Sequence, residues 1–155
     1  MGKQSAGLLL YRPQPELAVL LVHPGGPFWA RKDAGAWSIP KGEYEEAEAP
    51  AAAALREFAE ETGTALSGDL IGLGEVRQTG GKRVTAFALA GDLDVAQVKS
   101  NSFEMEWPPR SGRRQSFPEI DRAGWFTLPE AREKILASQS VFLDRLALQL
   151  GTTPD

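Results

Sequence analysis

The segment Gly42–Thr64, GEYEEAEAPAAAALREFAEETGT, decides how the chain is read. Its middle is helical by composition. Ala51, Ala52, Ala53 and Ala54 are the best helix formers, and Ala51, Leu55 and Phe58 fall at i, i+4 and i+7. Pro50 suits the first turn and Gly63 the position just past the last, so the spacing predicts a helix over 51–62. On that helix Glu57, Glu60 and Glu61 stand at i, i+3 and i+4 and share a face. Like charges so spaced repel by about 0.2–0.5 kcal/mol per pair. Glu60 and Glu61 also occupy the last turn, where the helix dipole disfavours anions. Arg56 offsets part of this through its i, i+4 relation to Glu60, but one cation does not balance three carboxylates. A divalent cation does, and oxygen donors without His or Cys select Mg2+ or Mn2+ over zinc or copper. The plain alternative, a solvated Glu-rich face, explains neither the placement at the negative end of the dipole nor the residues around it.

Outward from the helix, Ala6–Tyr11 and Leu17–Val22 read as short buried strands separated by a turn at Pro13-Gln14-Pro15. A long loop runs from His23 to Ala36, and Trp37–Gly42 is extended, with Pro40 excluding a helix. Beyond the helix, 70–78 and 83–90 form a hairpin around Gly80-Gly81. Residues 95–118 read as irregular apart from a short strand at 103–107, and 124–126 as a last short strand. Thr127-Leu128-Pro129-Glu130 is a capping-box pattern opening a helix to about Ala137, and 141–150 is a final amphipathic helix. Strands interspersed with helices predict an α/β sandwich, helices covering a mixed sheet.

Composition bounds the function. A chain of 155 residues is one domain, with its core over about 6–150. No apolar run approaches the roughly 20 residues of a membrane helix, and Ala6–Leu10 is too short for a secretory leader. Met1-Gly2 does not open a myristoylation motif, because position 6 is Ala. The absence of Cys excludes thiol catalysis, disulfides and zinc–thiolate sites, and fits a cytoplasmic location. A net charge of −4 disfavours long nucleic acid as a partner. With His23 the only histidine, a Ser-His-Asp triad is not expected and carboxylates are left to do the chemistry.

The spacing Gly42, five residues, Glu48, seven residues, Arg56-Glu57-Phe58-Ala59-Glu60-Glu61-Thr62-Gly63 resembles the Nudix box of the Nudix hydrolases. Thr64 stands where that family usually has an aliphatic residue. The resemblance implies a Nudix-type α/β/α sandwich with a mixed sheet between helices. It implies hydrolysis of a phosphoanhydride in a nucleoside diphosphate linked to another moiety, by water attack on phosphorus, with Mg2+ or Mn2+ as cofactor. By position it assigns Glu57, Glu60 and Glu61 as metal ligands, with the Gly42 carbonyl joining them. Arg56 orients a catalytic Glu, with Glu48 beside it, and which Glu serves as base is open. Glu119, ahead of Trp125, is the favoured further metal-site carboxylate, and Glu106 follows it as a residue of the mouth. Lys41 and Trp29 are the expected substrate contacts, with Phe28 and Trp107 as further aromatics. The run Arg110-Ser111-Gly112-Arg113-Arg114 reads as a solvated loop. The partner is a small nucleotide: a nucleoside triphosphate, a dinucleoside polyphosphate or a nucleotide sugar. Monomer or homodimer is open. The rival readings are a non-catalytic nucleotide-sensing domain and a fold merely stabilised by a cation.

Overall fold

A computed structural model of the chain describes residues 3–78 and 80–151. The Met1-Gly2 reading and the outer ends of the single-domain reading lie outside them. Among the described residues eight strands form two sheets. In the larger, β4 (Ile71–Arg77), β5 (Arg83–Ala90), β1 (Gln4–Arg12), β2 (Ala18–Pro24) and β8 (Ile120–Thr127) lie in that order, and β3 (Lys41–Glu43) pairs with β1. β1 runs parallel to β5 from Gln4↔Arg83 to Tyr11↔Ala90, and the other pairs are antiparallel, so the sheet is mixed as expected. β6 (Ser102–Glu106) and β7 (Arg114–Pro118) make a separate hairpin.

β1 is buried on both faces, and its alternation sorts the core. Leu8 and Leu10 join Leu20 and Phe58 on the side of α1 (Pro50–Thr62). Leu9 and Tyr11 join Val19 and Leu21 on the other side, with Phe142, Leu143 and Leu146 of α3 (Ser140–Gln149) and Ala131 of α2 (Leu128–Lys134). The layers are α/β/α. The buried stripe of α1 is Ala53, Ala54, Phe58 and Thr62 rather than one through Ala51 and Leu55, which are only half-buried. Two alanines let the helix lie close on Ala6 of β1.

One irregularity positions the site. β1 and β2 pair only at Tyr11↔Val19 and Arg12↔Ala18, then splay apart. The segment 37–43 wedges into the gap. Ser38 exchanges both backbone hydrogen bonds with Val22 (2.9 and 3.0 Å), the Leu8 amide donates to the Pro40 carbonyl (3.0 Å), and Lys41, Gly42 and Glu43 pair with Gly7, Ala6 and Ser5. The buried Gln139 ties down the wedge: its Oε1 accepts from the Ile39 amide (3.0 Å) and its Nε2 donates to Ser38 Oγ (3.0 Å).

Three sequence expectations need correction. The helix from Thr127 stops at Lys134, short of Ala137, because Ile135 forms a parallel bridge with Trp37. The Trp37 amide donates to the Lys134 carbonyl and the Leu136 amide to the Trp37 carbonyl. The last strand is eight residues long, not three, since β2 holds it from Thr127 back to Ile120. And 95–118 contains a second strand, β7, paired to β6 from Ser102↔Pro118 to Glu106↔Arg114.

Candidate active site

Lys41 and Gly42 enter the site from the wedge, and the glutamates enter from the last turns of α1. The Lys41 amide donates to Glu61 Oε1 at 2.9 Å. Gly42 leaves the space that Glu57 fills, since a β-carbon there would overlap the Glu57 carboxylate. No other residue type fits at position 42 with that carboxylate in place. The αL conformation of Gly63 (φ 79°) ends the helix directly after these residues, its amide donating to the Ala59 carbonyl at 2.8 Å.

Arg56 organises the outer side. Its Nε and Nη2 donate to the two carboxylate oxygens of Glu48, each at 2.8 Å, a forked pairing that fixes both planes. Its Nη1 donates to Glu57 Oε1 (2.7 Å) and reaches the exposed Glu60 (3.2 Å to Oε2). The paired carboxylates hold the guanidinium still more firmly protonated, Glu48 foremost, and Arg56 holds the Glu48 carboxyl below its usual range. Glu57 moves the other way: partial burial raises it, against the opposing pull of Arg56.

Glu61 and Glu119, far apart in sequence, line one cavity of about 230 Å³ with Lys41, Trp29, Ile39 and Leu136. Burial pushes the Glu61 carboxyl up to about 7; the Lys41 amide opposes this, and the negative charge of Glu119 adds to it. Burial also lowers Lys41, and Lys82 acts in the same sense. The site therefore holds two carboxylates, Glu57 and Glu61, whose ionisation burial disfavours.

The structure brings together Lys41, Gly42, Glu57 and Glu61, with Arg56 behind them and Glu119 and Trp29 across the cavity. Glu60 faces outward to Arg56. Among the described residues no three His, Cys, Asp or Glu side chains are gathered as a ready set of metal ligands, because Arg56 occupies the charge between Glu57 and Glu60. Glu106 is not at this cavity: its carboxylate accepts from the amides of Arg110 and Gly112 in the β6–β7 turn. The sequence reading missed Gln139 and the apolar wall of Val22, Ile39, Ile120 and Leu136. Nothing local in sequence marks them, since only the wedge and the Trp37–Ile135 bridge bring them to the site.

The NUDIX domain family model matches residues 1–146. No curated protein matches the chain. Among solved structures, the Ap4A hydrolase of C. elegans in a binary complex is 19% identical with a TM-score of 0.65, over 95% of this chain and 98% of that one. The NUDIX domain of Shewanella oneidensis NrtR, complexed with ADP ribose, is 18% identical with a TM-score of 0.64, over 97% and 89%. A MutT protein from Methanosarcina mazei is 24% identical with a TM-score of 0.62, over 96% and 94%. At these identities the likeness is one of fold.

Proposed function

The chain belongs to the Nudix family and is a pyrophosphohydrolase of that family, and from this premise we propose that it hydrolyses a phosphoanhydride bond in a nucleoside diphosphate linked to a further group, with a divalent cation, at the cavity between α1 and Glu119. One observation carries the reading: Glu61, held by the Lys41 amide, shares a cavity with Glu119 and Lys41 while Glu57 fills the gap over Gly42.

The donor set is all hard oxygen, and burial makes the two inner carboxylates resist ionisation, which a divalent cation such as Mg2+ or Mn2+ would offset. Glu57, Glu60, Glu61 and Glu119, with the Gly42 carbonyl, would hold it. When bound, such an ion neutralises phosphoryl oxygens and acidifies water. The protein's own side chains do the rest. Lys41 offers a cation to the phosphate chain as a point charge. Arg56, forked on Glu48, fixes Glu57 against Gly42. Glu61, on the cavity wall, orients a water and takes its proton as the water oxygen bonds phosphorus. The anhydride P–O bond breaks with its electron pair leaving on the departing phosphate oxygen. Trp29 and the apolar wall limit the water that competes for the same space. The substrate is a small nucleotide, and a chain without cysteine suits a cytoplasmic location. No helix of the described residues is long and apolar enough to cross a membrane.

The test is product release with Mg2+ or Mn2+ across nucleoside triphosphates, diadenosine tetraphosphate and ADP-ribose. Turnover of at least one is expected, and Glu61→Gln should lower it by about 10²–10⁴-fold, the range of a lost acid–base group, with an unchanged circular dichroism spectrum. Full activity in that variant would overturn the assignment. Tight nucleotide binding with no turnover of any substrate would assign a sensing domain instead.

A further inference from the structure

Among the described residues His23 is the one titratable side chain buried completely, and the chemistry above does not use it. It stands at the end of β2, where three parts of the cavity wall meet. Its Nδ1 lies 2.7 Å from Asp121 Oδ1 on β8, and its Nε2 lies 2.6 Å from the Lys32 carbonyl in the loop over 24–36. Its ring meets that of Trp37, where the wedge begins, edge to face with centroids 5.2 Å apart. A β-bulge makes the first of these contacts. β2 and β8 pair at His23↔Arg122 and next at Pro24↔Ile120, so Asp121 is the extra residue, and a bulge re-aims such a side chain.

Both partners of the ring are acceptors. A carbonyl oxygen has no hydrogen to give and neither has a carboxylate, whereas a neutral imidazole carries a hydrogen on one nitrogen only. The two bonds together require N–H on both nitrogens, which is the imidazolium. The carboxylate is the stronger of its two partners, because that bond is charge-assisted. When the ring gives up one proton to water, the hydrogen that stays is the one on Nδ1. Nε2 then sets a lone pair against the Lys32 oxygen, and the carbonyl must turn away. That carbonyl belongs to the turn that carries Trp29: the Lys32 amide donates to the Trp29 carbonyl (3.0 Å), and the Lys32 ammonium lies 5.2 Å from the centre of the Trp29 ring. Trp29 lines the cavity with Ala36 of the same loop. The charged groups around His23 are Asp121 and Arg122 on β8, Lys32 and Asp33 on the loop, and Lys134 of α2. Arg122 Nε lies 3.6 Å from Asp121 Oδ1 and its guanidinium 5.3 Å from the centre of the Trp37 ring, while Asp33 accepts from the Trp37 indole (2.8 Å) and pairs with Lys134. Of these residue types, histidine is the one that ordinarily changes charge between about pH 5 and 8.

We propose that His23 is a positioning residue for the cavity: as the imidazolium it latches the 24–36 loop, and with it Trp29, to the sheet, and on losing the Nε2 proton it keeps Asp121 and releases Lys32. The latch does not depend on what the cavity hydrolyses. It fixes the Trp29 wall on the acid side of neutral and frees it on the alkaline side.

Because the chain has one histidine, its two imidazole nitrogens can be followed by nitrogen NMR without assignment. The wild type, His23→Gln and Glu61→Gln are titrated from about pH 5 to 8 while the imidazole nitrogens and the Trp29 indole N–H are recorded, the indole signal being identified by its loss in Trp29→Phe. Glu61→Gln removes the other group of this cavity that titrates in the range, its carboxyl being pushed up to about 7. Circular dichroism checks folding. The expected result in the wild type is two protonated nitrogens at the acid end, loss of the proton from Nε2 with retention at Nδ1, and a shift of the Trp29 signal with the same midpoint. That shift should persist in Glu61→Gln and vanish in His23→Gln. Loss of the proton from Nδ1 instead, an Nε2 that does not titrate, or a Trp29 signal that stays still while Nε2 titrates would each overturn the proposal. So would a Trp29 shift that survives in His23→Gln or disappears in Glu61→Gln. Should His23→Gln not fold, the other two titrations decide by themselves.

Discussion

Gly42 and Glu57 form one structural unit, because the carboxylate occupies the space a β-carbon would need. Gly42→Ala keeps the Ala6↔Gly42 strand pairing but must displace Glu57. A misplacement of about 1 Å in an active-site group costs up to ~10²-fold in rate. We expect turnover to fall at least about tenfold in this variant while its circular dichroism spectrum is unchanged, and wild-type kinetics would refute the packing argument. Glu61 makes a separate prediction. Its carboxyl is pushed up to about 7 in the folded chain, chiefly by burial, from an ordinary value of 4.5. Between these pH values the unfolded chain has lost a proton that the folded chain keeps. The contribution to stability is therefore whole below 4.5, declines as pH rises toward 7, and is gone above. Urea midpoints measured with EDTA should fall across that window in the wild type, and the fall should be shallower in Glu61→Gln. Parallel slopes for the two proteins would show that the carboxyl is not held in its neutral form.

At the scale of elements, α1 and α2 differ in how they begin. α1 starts from Ala49 without a side-chain cap and relies on Pro50 and on the packing of Ala53, Ala54 and Phe58. α2 has the complete capping box. The Glu130 amide donates to Thr127 Oγ1 (3.4 Å), while the Thr127 amide (2.9 Å) and hydroxyl (3.0 Å) donate to Glu130 Oε1 and hold the Glu130 carboxyl below its ordinary range. Thr127→Ala should cost about 1 kcal/mol of stability, read by denaturant titration, with catalytic constants unchanged. A loss of activity at unchanged stability would mean that this helix start communicates with Leu136 in the cavity wall. The capping box was legible because all its partners are local in sequence. The end of α2 was not, because Ile135 and Leu136 leave the helix to bridge Trp37, a residue far back in the chain. The β6–β7 pairing was hidden for a related reason. Its turn runs through Trp107-Pro108-Pro109 without the short Asn-Gly or Asp-Gly signal, and the pairing shows only in the matched Phe103 and Phe117.

For the whole molecule, the sandwich brings Lys41, Glu61 and Glu119, from three separated segments, to one cavity, with Glu57 beside it over Gly42. A cation bound there is a ligand of the native state alone, so it stabilises the fold by mass action. Millimolar Mg2+ or Mn2+ should raise the melting temperature by several degrees, and the double variant Glu57→Gln/Glu61→Gln should abolish the rise. An equal rise in both proteins would place the cation elsewhere. The same assembly explains why Glu106 and Glu119, both candidate site carboxylates in sequence, part company. One is spent on bracing a turn and the other faces the cavity.

Sequence alone was enough for the α1 helix, the glycine at its end, the spacing that carries the Nudix resemblance and the mixed α/β class. Each of these rests on residues within a few positions of one another, where helix geometry, φ restrictions and short-range repulsion act directly. The tertiary structure decided the rest. The splaying of β1 from β2 sets Lys41 and Gly42 against the helix, and Arg56 turns outward to Glu48 and Glu60 rather than leaving three carboxylates bare. Gln139 and Leu136 reach the site from the far end of the chain. These outcomes depend on which strand edges are left to be paired and which charges end up desolvated, quantities that exist only once distant segments are packed together.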